Sequence, residues 1–141
     1  MRIVISIVSH NQQELCSRLL RSIDNFLQSN LHEVITVLTE NTLTENINKS
    51  ERFQTYNINN LRPKGFSTNH NATFERFESD IFIIVNPDII LDETFDLDLM
   101  VKLLIMDELD ILSPQIVGVS GAVEDYKRAD LTFTNLLKRK F

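Results

Sequence analysis

The sequence predicts an α/β fold: a mostly parallel sheet with helices on both of its faces. Three observations predict it. Ile3 to Val8, Val34 to Leu38 and Ile81 to Val85 are short, nearly continuous runs of aliphatic residues, the pattern of strands covered on both sides rather than on one. Between the first two runs, Leu15, Leu19, Leu20, Ile23, Phe26 and Leu27 recur at helical spacing and form one apolar stripe. Strand, helix and strand in about forty residues make a βαβ unit, whose strands lie parallel. The third observation is where the apolar runs stop: Ser9-His10-Asn11, Thr39-Glu40-Asn41 and Asn86-Pro87-Asp88 follow the three runs at once.

Taken in order, the first strand ends in polar residues, and Asn11 with Glu14 three positions later has the spacing of a capping box opening the first helix. Gln28 to His32 is a polar loop and Val34 to Leu38 the second strand. Thr42 to Glu51 is polar and reads as loop or short irregular helix. Phe53 to Ile58 is a third, weaker strand, followed by a turn-rich loop from Asn59 to Gly65 that contains Pro63. Thr68 to Phe77 is predicted as a helix with Phe74 and Phe77 on one side. Asp80 to Val85 is the clearest strand of all, and it must end at Pro87, which donates no hydrogen bond and fixes its own φ. Phe95 to Met106 is an amphipathic helix with Leu97, Met100, Val101, Leu104 and Ile105 as its stripe. Ile111 to Ser113 and Ile116 to Val119 read as one broken or two short strands, and Leu131 to Lys140 as a terminal helix. The acidic pair Glu124-Asp125 reads as a solvated turn. No internal repeat, low-complexity segment or linker interrupts the 141 residues, so residues 1–141 are expected to form a single domain.

Composition narrows the function. A net charge of −6 and a pI near 5.0 argue against a protein that tracks nucleic-acid phosphates. Lys138, Arg139 and Lys140 ahead of Phe141 form too short a basic tail to reverse that. The single cysteine, Cys16, allows no internal disulfide and sits in the first helix as a small packing residue. A reducing, cytoplasmic setting follows. No apolar run approaches the roughly 20 residues that cross a bilayer, and Met1 to Val8 is too short, and too abruptly polar afterwards, for a secretory signal.

In an open α/β sheet, ligands bind beyond the carboxyl ends of the strands. That rule selects Ser9, His10 and Asn11, Thr39, Glu40 and Asn41, and Asn86 and Asp88. Asn86-Pro87-Asp88 is the most distinctive of these. Taken alone it is most often a strand-terminating Asx-Pro turn. A carboxylate on a rigid turn after a buried strand also suits a hard divalent cation, which takes oxygen ligands, and residues two apart can face the same way.

The segments around these residues resemble a known family. Ile81-Phe82-Ile83-Ile84-Val85-Asn86-Pro87-Asp88-Ile89-Ile90-Leu91 resembles the stretch holding the metal-binding acidic motif of family 2 glycosyltransferases, which reads Asn-Pro-Asp in many bacterial, rhamnosyltransferase-like members. Val4 to Asn11 is similar to the family's first strand and nucleotide-contacting loop. Gly65-Phe66-Ser67-Thr68-Asn69-His70-Asn71 is similar to its Gly-Phe-x-x-x-x-Asn segment. Ser113-Pro114-Gln115-Ile116, with Gly121, Arg128 and Thr132, resembles the stretch after the metal motif.

The resemblance implies a Rossmann-like fold of the GT-A type, truncated at its C-terminus, and transfer of a sugar from a nucleotide-diphosphate donor, UDP- or dTDP-linked, to a saccharide or lipid-linked acceptor in cell-surface polysaccharide synthesis. It implies that Asp88 binds Mg²⁺ or Mn²⁺ with Asn86 assisting, that the metal neutralises the diphosphate leaving group, and that Ser9 and Asn11 sit against the nucleoside. It places Glu40, with Asn41, where an aspartate usually reads the base, Asn71 near the nucleotide or sugar, and Lys64 or Arg128 against a phosphate. His10 occupies a slot usually aromatic, which favours packing or base contact over a general-base role. His32 and His70 are expected to be solvent-exposed. The sequence departs from the family twice. Glu40-Asn41-Thr42-Leu43 stands where Asp-Asn-Gly-Ser is usual, and the chain has about half the family's length, so the acceptor half and its catalytic base are expected to be absent. The resemblance therefore also accommodates a non-catalytic nucleotide-binding relic or partner subunit, a homodimer through the face left uncovered, and a location in the cytoplasm or peripheral to the inner membrane face. A receiver-type module would need an acidic pair after the first strand, and a dinucleotide enzyme a Gly-x-Gly-x-x-Gly; neither is present.

Overall fold

The computed structural model describes residues 1–27, 31–42 and 48–124. The chain divides into two compact units, Met1–Leu103 and Leu104–Phe141. The first holds a four-stranded, all-parallel sheet in the order β3-β2-β1-β4, built from β1 (Arg2–Ser9), β2 (Glu33–Glu40), β3 (Gln54–Asn59) and β4 (Ile81–Val85). Three helices accompany it: α1 (Gln13–Phe26), α2 (Phe66–Arg76) and α3 (Leu97–Met106).

The apolar runs explain the centre of the sheet. In β1, Ile3, Ile5 and Ile7 point to one face, where Cys16, Leu19, Leu20, Ile23 and Leu27 of the α1 segment and Leu97 and Val101 of α3 complete the main core. Val4, Ile35 and Val37 point to the other face and pack with Tyr56, Ile58, Phe77 and Phe82. Period-2 alternation within continuous apolar runs thus feeds two cores from the same strands. Each fully buried aliphatic side chain adds about 1.5–3 kcal/mol. Helices therefore cover both faces, as the sequence predicts. Register is set at the amino end of the sheet, where the Arg2 amide donates to the Asp80 carboxylate at 2.7 Å and the Asp80 amide to the Arg2 carbonyl at 2.9 Å.

Several expectations are corrected. Helix α1 starts at Gln13, its N-cap is Gln12, and no side chain caps it. Asn11 has φ +60°, a left-handed conformation that asparagine tolerates and that is incompatible with the extended geometry of an N-cap. The clearest strand by sequence, β4, is an edge strand of half-buried residues, with Ile84 exposed. In α2 the buried residues are Asn69, His70 and Thr73, not the two phenylalanines. Phe74 is exposed and meets Phe82 edge-on at 5.3 Å, while Phe77, just past the helix, packs on Tyr56. Ile105 of α3 is likewise exposed.

In the second unit, β5 (Ile116–Val117) and β6 (Val123–Glu124) form an antiparallel hairpin, with Gly121 at φ +79° in its turn, where only glycine sits without strain. Glu124 thus belongs to a strand, and Ile111 to Ser113 form none. Asp125, Arg128, Thr132, the terminal helix and the basic tail lie outside the described residues. Among those described, no helix is long and apolar enough to cross a membrane.

Candidate functional site

The strand order reverses between β1 and β4: β2 and β3 lie to one side of β1, and β4 to the other. In open parallel sheets the connections part at such a point and leave a crevice beyond the carboxyl ends. A cavity of about 320 Å³ lies there, within the lower range of small-ligand pockets, roughly 300–1,000 Å³. His10, Gln12, Asn41, Asn86 and Asp88 supply its polar lining, and Val8, Phe66 and Pro87 its apolar lining.

The turn after β4 is held from three directions. The Ile89 amide donates to the Asn86 carbonyl at 3.2 Å and closes the turn around Pro87, whose fixed φ suits its second position. Pro87 itself is buried. Two residues further on, the Leu91 amide donates to the Ser22 hydroxyl of α1 at 3.1 Å, and Leu91 packs against the main core. The side chains of Asn86 and Asp88 are exposed, and the described structure gives them no hydrogen-bond partner of their own.

The turn after β2 is built the opposite way. Asn41 is 7% exposed, and both ends of its side-chain amide are engaged from within. Its Oδ1 accepts the Lys64 amide at 2.7 Å, Asn60 Nδ2 at 3.1 Å and Asn69 Nδ2 at 3.3 Å, and its Nδ2 donates to the Lys64 carbonyl at 2.7 Å. Asn60 Nδ2 also donates to Asn69 Oδ1 at 2.8 Å. Three buried asparagines therefore sew the ends of β2 and β3, the loop at Lys64 and the start of α2 into one wall. Sequence reasoning missed Asn60 and Asn69. Nothing in the sequence marked Asn60; for Asn69 the signal was a predicted helix whose only large apolar residues, Phe74 and Phe77, stand at its far end, so that the start of its inner face had to be polar and paired.

Ser9 is fully buried, accepting the Gln12 amide at 3.3 Å on its hydroxyl and the Asn41 amide at 2.7 Å on its carbonyl. Glu40 is 1% exposed, and neither carboxylate oxygen has a hydrogen-bond partner. It lies near Cys16. Burial pushes that thiol above its ordinary pKa; a hydrogen bond with Ser9 opposes the shift and the Glu40 carboxylate adds to it. Asn11, Lys64 and Asn71 are exposed. Of the nine residues selected by sequence, the cavity brings together His10, Asn41, Asn86 and Asp88, while Ser9, Asn11, Glu40, Lys64 and Asn71 are not in its lining.

His70 corrects the expectation of solvent exposure. It is 2% exposed, and its Nδ1 and the Ser6 hydroxyl of β1 are 2.8 Å apart. Burial lowers its pKa below the ordinary histidine value and keeps the ring neutral at pH 7. His32 pairs instead with Asp98, at 3.4 Å.

A hard cation fits this lining in one way. The described residues hold no group of three or more His, Cys, Asp or Glu able to chelate a metal. Asp88 and Asn86 offer one carboxylate and one amide oxygen, the set that suffices when a bound phosphate supplies the remaining oxygens.

No protein-family model matches the chain, and no curated protein matches it. Among solved structures, the crystal structure of S. aureus TarS is similar in fold, with a TM-score of 0.68 and 14% identity over 86% of this chain and 23% of that one. The crystal structure of S. aureus TarS 1–349 is similar with a TM-score of 0.55 and 13% identity, covering 77% and 33% respectively. The chain thus spans about a quarter to a third of the lengths of these structures. It has a glycosyltransferase-like fold.

Proposed function

We propose that this chain is the donor-binding portion of a glycosyltransferase, of the family 2, rhamnosyltransferase-like kind, that transfers a sugar from a UDP- or dTDP-linked donor to a saccharide or lipid-linked acceptor with inversion. One observation carries the reading. Asp88 and Asn86, free of internal partners, face a common cavity where the strand order reverses on a glycosyltransferase-like fold.

The chemistry follows from charge. Breaking the bond between sugar and diphosphate leaves negative charge on the leaving oxygens, and groups that stabilise it only as it develops accelerate the step. Mg²⁺ or Mn²⁺ would supply that stabilisation when bound. Asp88 and Asn86 would hold it from the protein side, their position fixed by the Pro87 turn and the Leu91–Ser22 bond. His10, Gln12 and Asn41 line the remainder of the polar wall. Lys64, whose backbone Asn41 holds, would offer a cation for a phosphate, and Asn71 an exposed amide on α2 for the sugar.

Calorimetric titration with UDP-, dTDP- and GDP-sugars, with and without Mn²⁺, tests this. At least one donor is expected to bind only with the metal, and Asp88→Ala to abolish that binding. Absence of binding to every nucleotide sugar, or binding untouched by Asp88→Ala, would overturn the reading.

One observation favours a second reading. Among the described residues, Asp88 is the only carboxylate in the cavity lining, so none of them adds a separate carboxylate base there for the acceptor hydroxyl. A chain that binds donor yet neither hydrolyses nor transfers it would be a donor-binding subunit or relic.

A further inference from the structure

Phe66 is the first residue of α2, is 54% exposed, and forms part of the cavity wall. Leaving half an aromatic ring in water forgoes favourable apolar burial, so what fixes its position is informative. The Phe66 ring meets the His70 ring edge-on, with centroids 4.3 Å apart and planes at 66°. His70 sits one helical turn further along α2 and is tied through Nδ1 to Ser6 in the middle of β1. Its other nitrogen, Nε2, is buried and has no hydrogen-bond partner. A buried imidazole with half its hydrogen-bonding capacity unused is a costly way to fill space. Its evident contribution is to hold the Phe66 ring at a set angle to the cavity. Gly65, just before Phe66, is the N-cap of α2 and directly follows Lys64, whose amide and carbonyl Asn41 holds.

The ring is thus anchored from β1 through Ser6 and His70, and from the end of β2 through Asn41. Asp88 lies beyond the end of β4, on the other side of β1. Asp88 and Phe66 line the same cavity, so a nucleotide whose diphosphate is held at Asp88 has Phe66 as the aromatic face available to its base.

We propose that Phe66 is the stacking platform for the nucleobase of the donor, with His70 and Ser6 as positioning residues that orient its ring. The inference rests on the donor-site reading above. An exposed ring already held at its working angle loses little freedom when a flat ligand settles on it. Base–aromatic stacking tolerates any base because every base offers a π-face. Phe66 therefore contributes affinity for nucleotides in general, and selection among bases falls to other residues.

The test is calorimetry on the full chain with Mn²⁺ and three probes: a UDP-sugar, UDP and inorganic pyrophosphate. Phe66→Ala is expected to weaken UDP and the UDP-sugar equally, by about ten-fold, with pyrophosphate unchanged and Phe66→Trp restoring the loss. His70→Ala is expected to weaken UDP about three-fold, again sparing pyrophosphate, which separates loss of ring orientation from damage to the fold. A loss confined to the UDP-sugar would place the ring against the sugar, and a loss shared by pyrophosphate would mean general collapse of the site; either overturns the proposal. Unchanged UDP affinity in Phe66→Ala overturns it while leaving the donor site intact, whereas a wild-type chain that binds none of the three probes overturns both.

Discussion

The turns after β2 and after β4 leave the same edge of the same sheet, and they use similar residues to opposite ends. At the end of β2, Glu40 and Asn41 are buried, and Asn41 engages both ends of its side-chain amide with Lys64, Asn60 and Asn69. After β4, Asn86 and Asp88 are exposed, and the backbone rather than their side chains holds the turn. A polar residue at a strand end can therefore be a strut or a ligand contact. Burial together with internal hydrogen bonding separates the two.

Stability measurements give the largest expected contrast between these turns. Asn41→Ala leaves the Lys64 amide and carbonyl, Asn60 and Asn69 short of partners, and should cost about 3 kcal/mol in urea unfolding. Asp88→Ala should leave the unfolding midpoint unchanged. Equal costs at both positions would erase the distinction between strut and contact.

Glu40 sharpens it further. Glu40→Met keeps the volume and removes two buried oxygens without partners, and should raise stability by about 1 kcal/mol. If Glu40 reads the base, the same variant must lose nucleotide affinity. If it belongs to the β2 strut, affinity holds.

His70 gives a pH-dependent version of the contrast. Its folded pKa lies below the unfolded value, near 6.5, so the unfolded chain binds the proton more readily. Stability is complete above about pH 6.5 and falls as pH drops from there toward the folded pKa. His70→Gln should flatten that part of the stability profile. The smallest expected effect is at Cys16. Its raised pKa and complete burial predict no alkylation by iodoacetamide at pH 7.5 unless urea is added; rapid labelling of the folded chain would show that the floor beneath the β2 turn opens readily.

Much of this architecture was legible in the residues. Continuous aliphatic runs mark buried parallel strands whatever their surroundings, and the carboxyl-edge rule led directly to His10, Asn86 and Asp88. Two features were hidden for physical reasons. The helix over 68–77 was legible, but hydrophobic periodicity could not find its inner face, Asn69, His70 and Thr73, because that face is polar and held by hydrogen bonds rather than by apolar burial. Nor does sequence spacing reveal that Asn11 adopts a left-handed conformation, which removed the capping box that Asn11 and Glu14 suggest. The edge rule also selected Glu40 and Ser9, since it reports position along the strand and not whether the side chain turns inward.

The most direct test of the central claim, that a metal–diphosphate complex binds at the β1–β4 end of this edge, is paramagnetic broadening of amide NMR signals by substoichiometric Mn²⁺ in the presence of UDP. The account predicts that the signals of His10, Asn86 and Asp88 disappear first, and only with the nucleotide present, before those of Glu40, Asn60 and Asn69. Broadening that begins at the β2–β3 end, or that is the same without nucleotide, would contradict it.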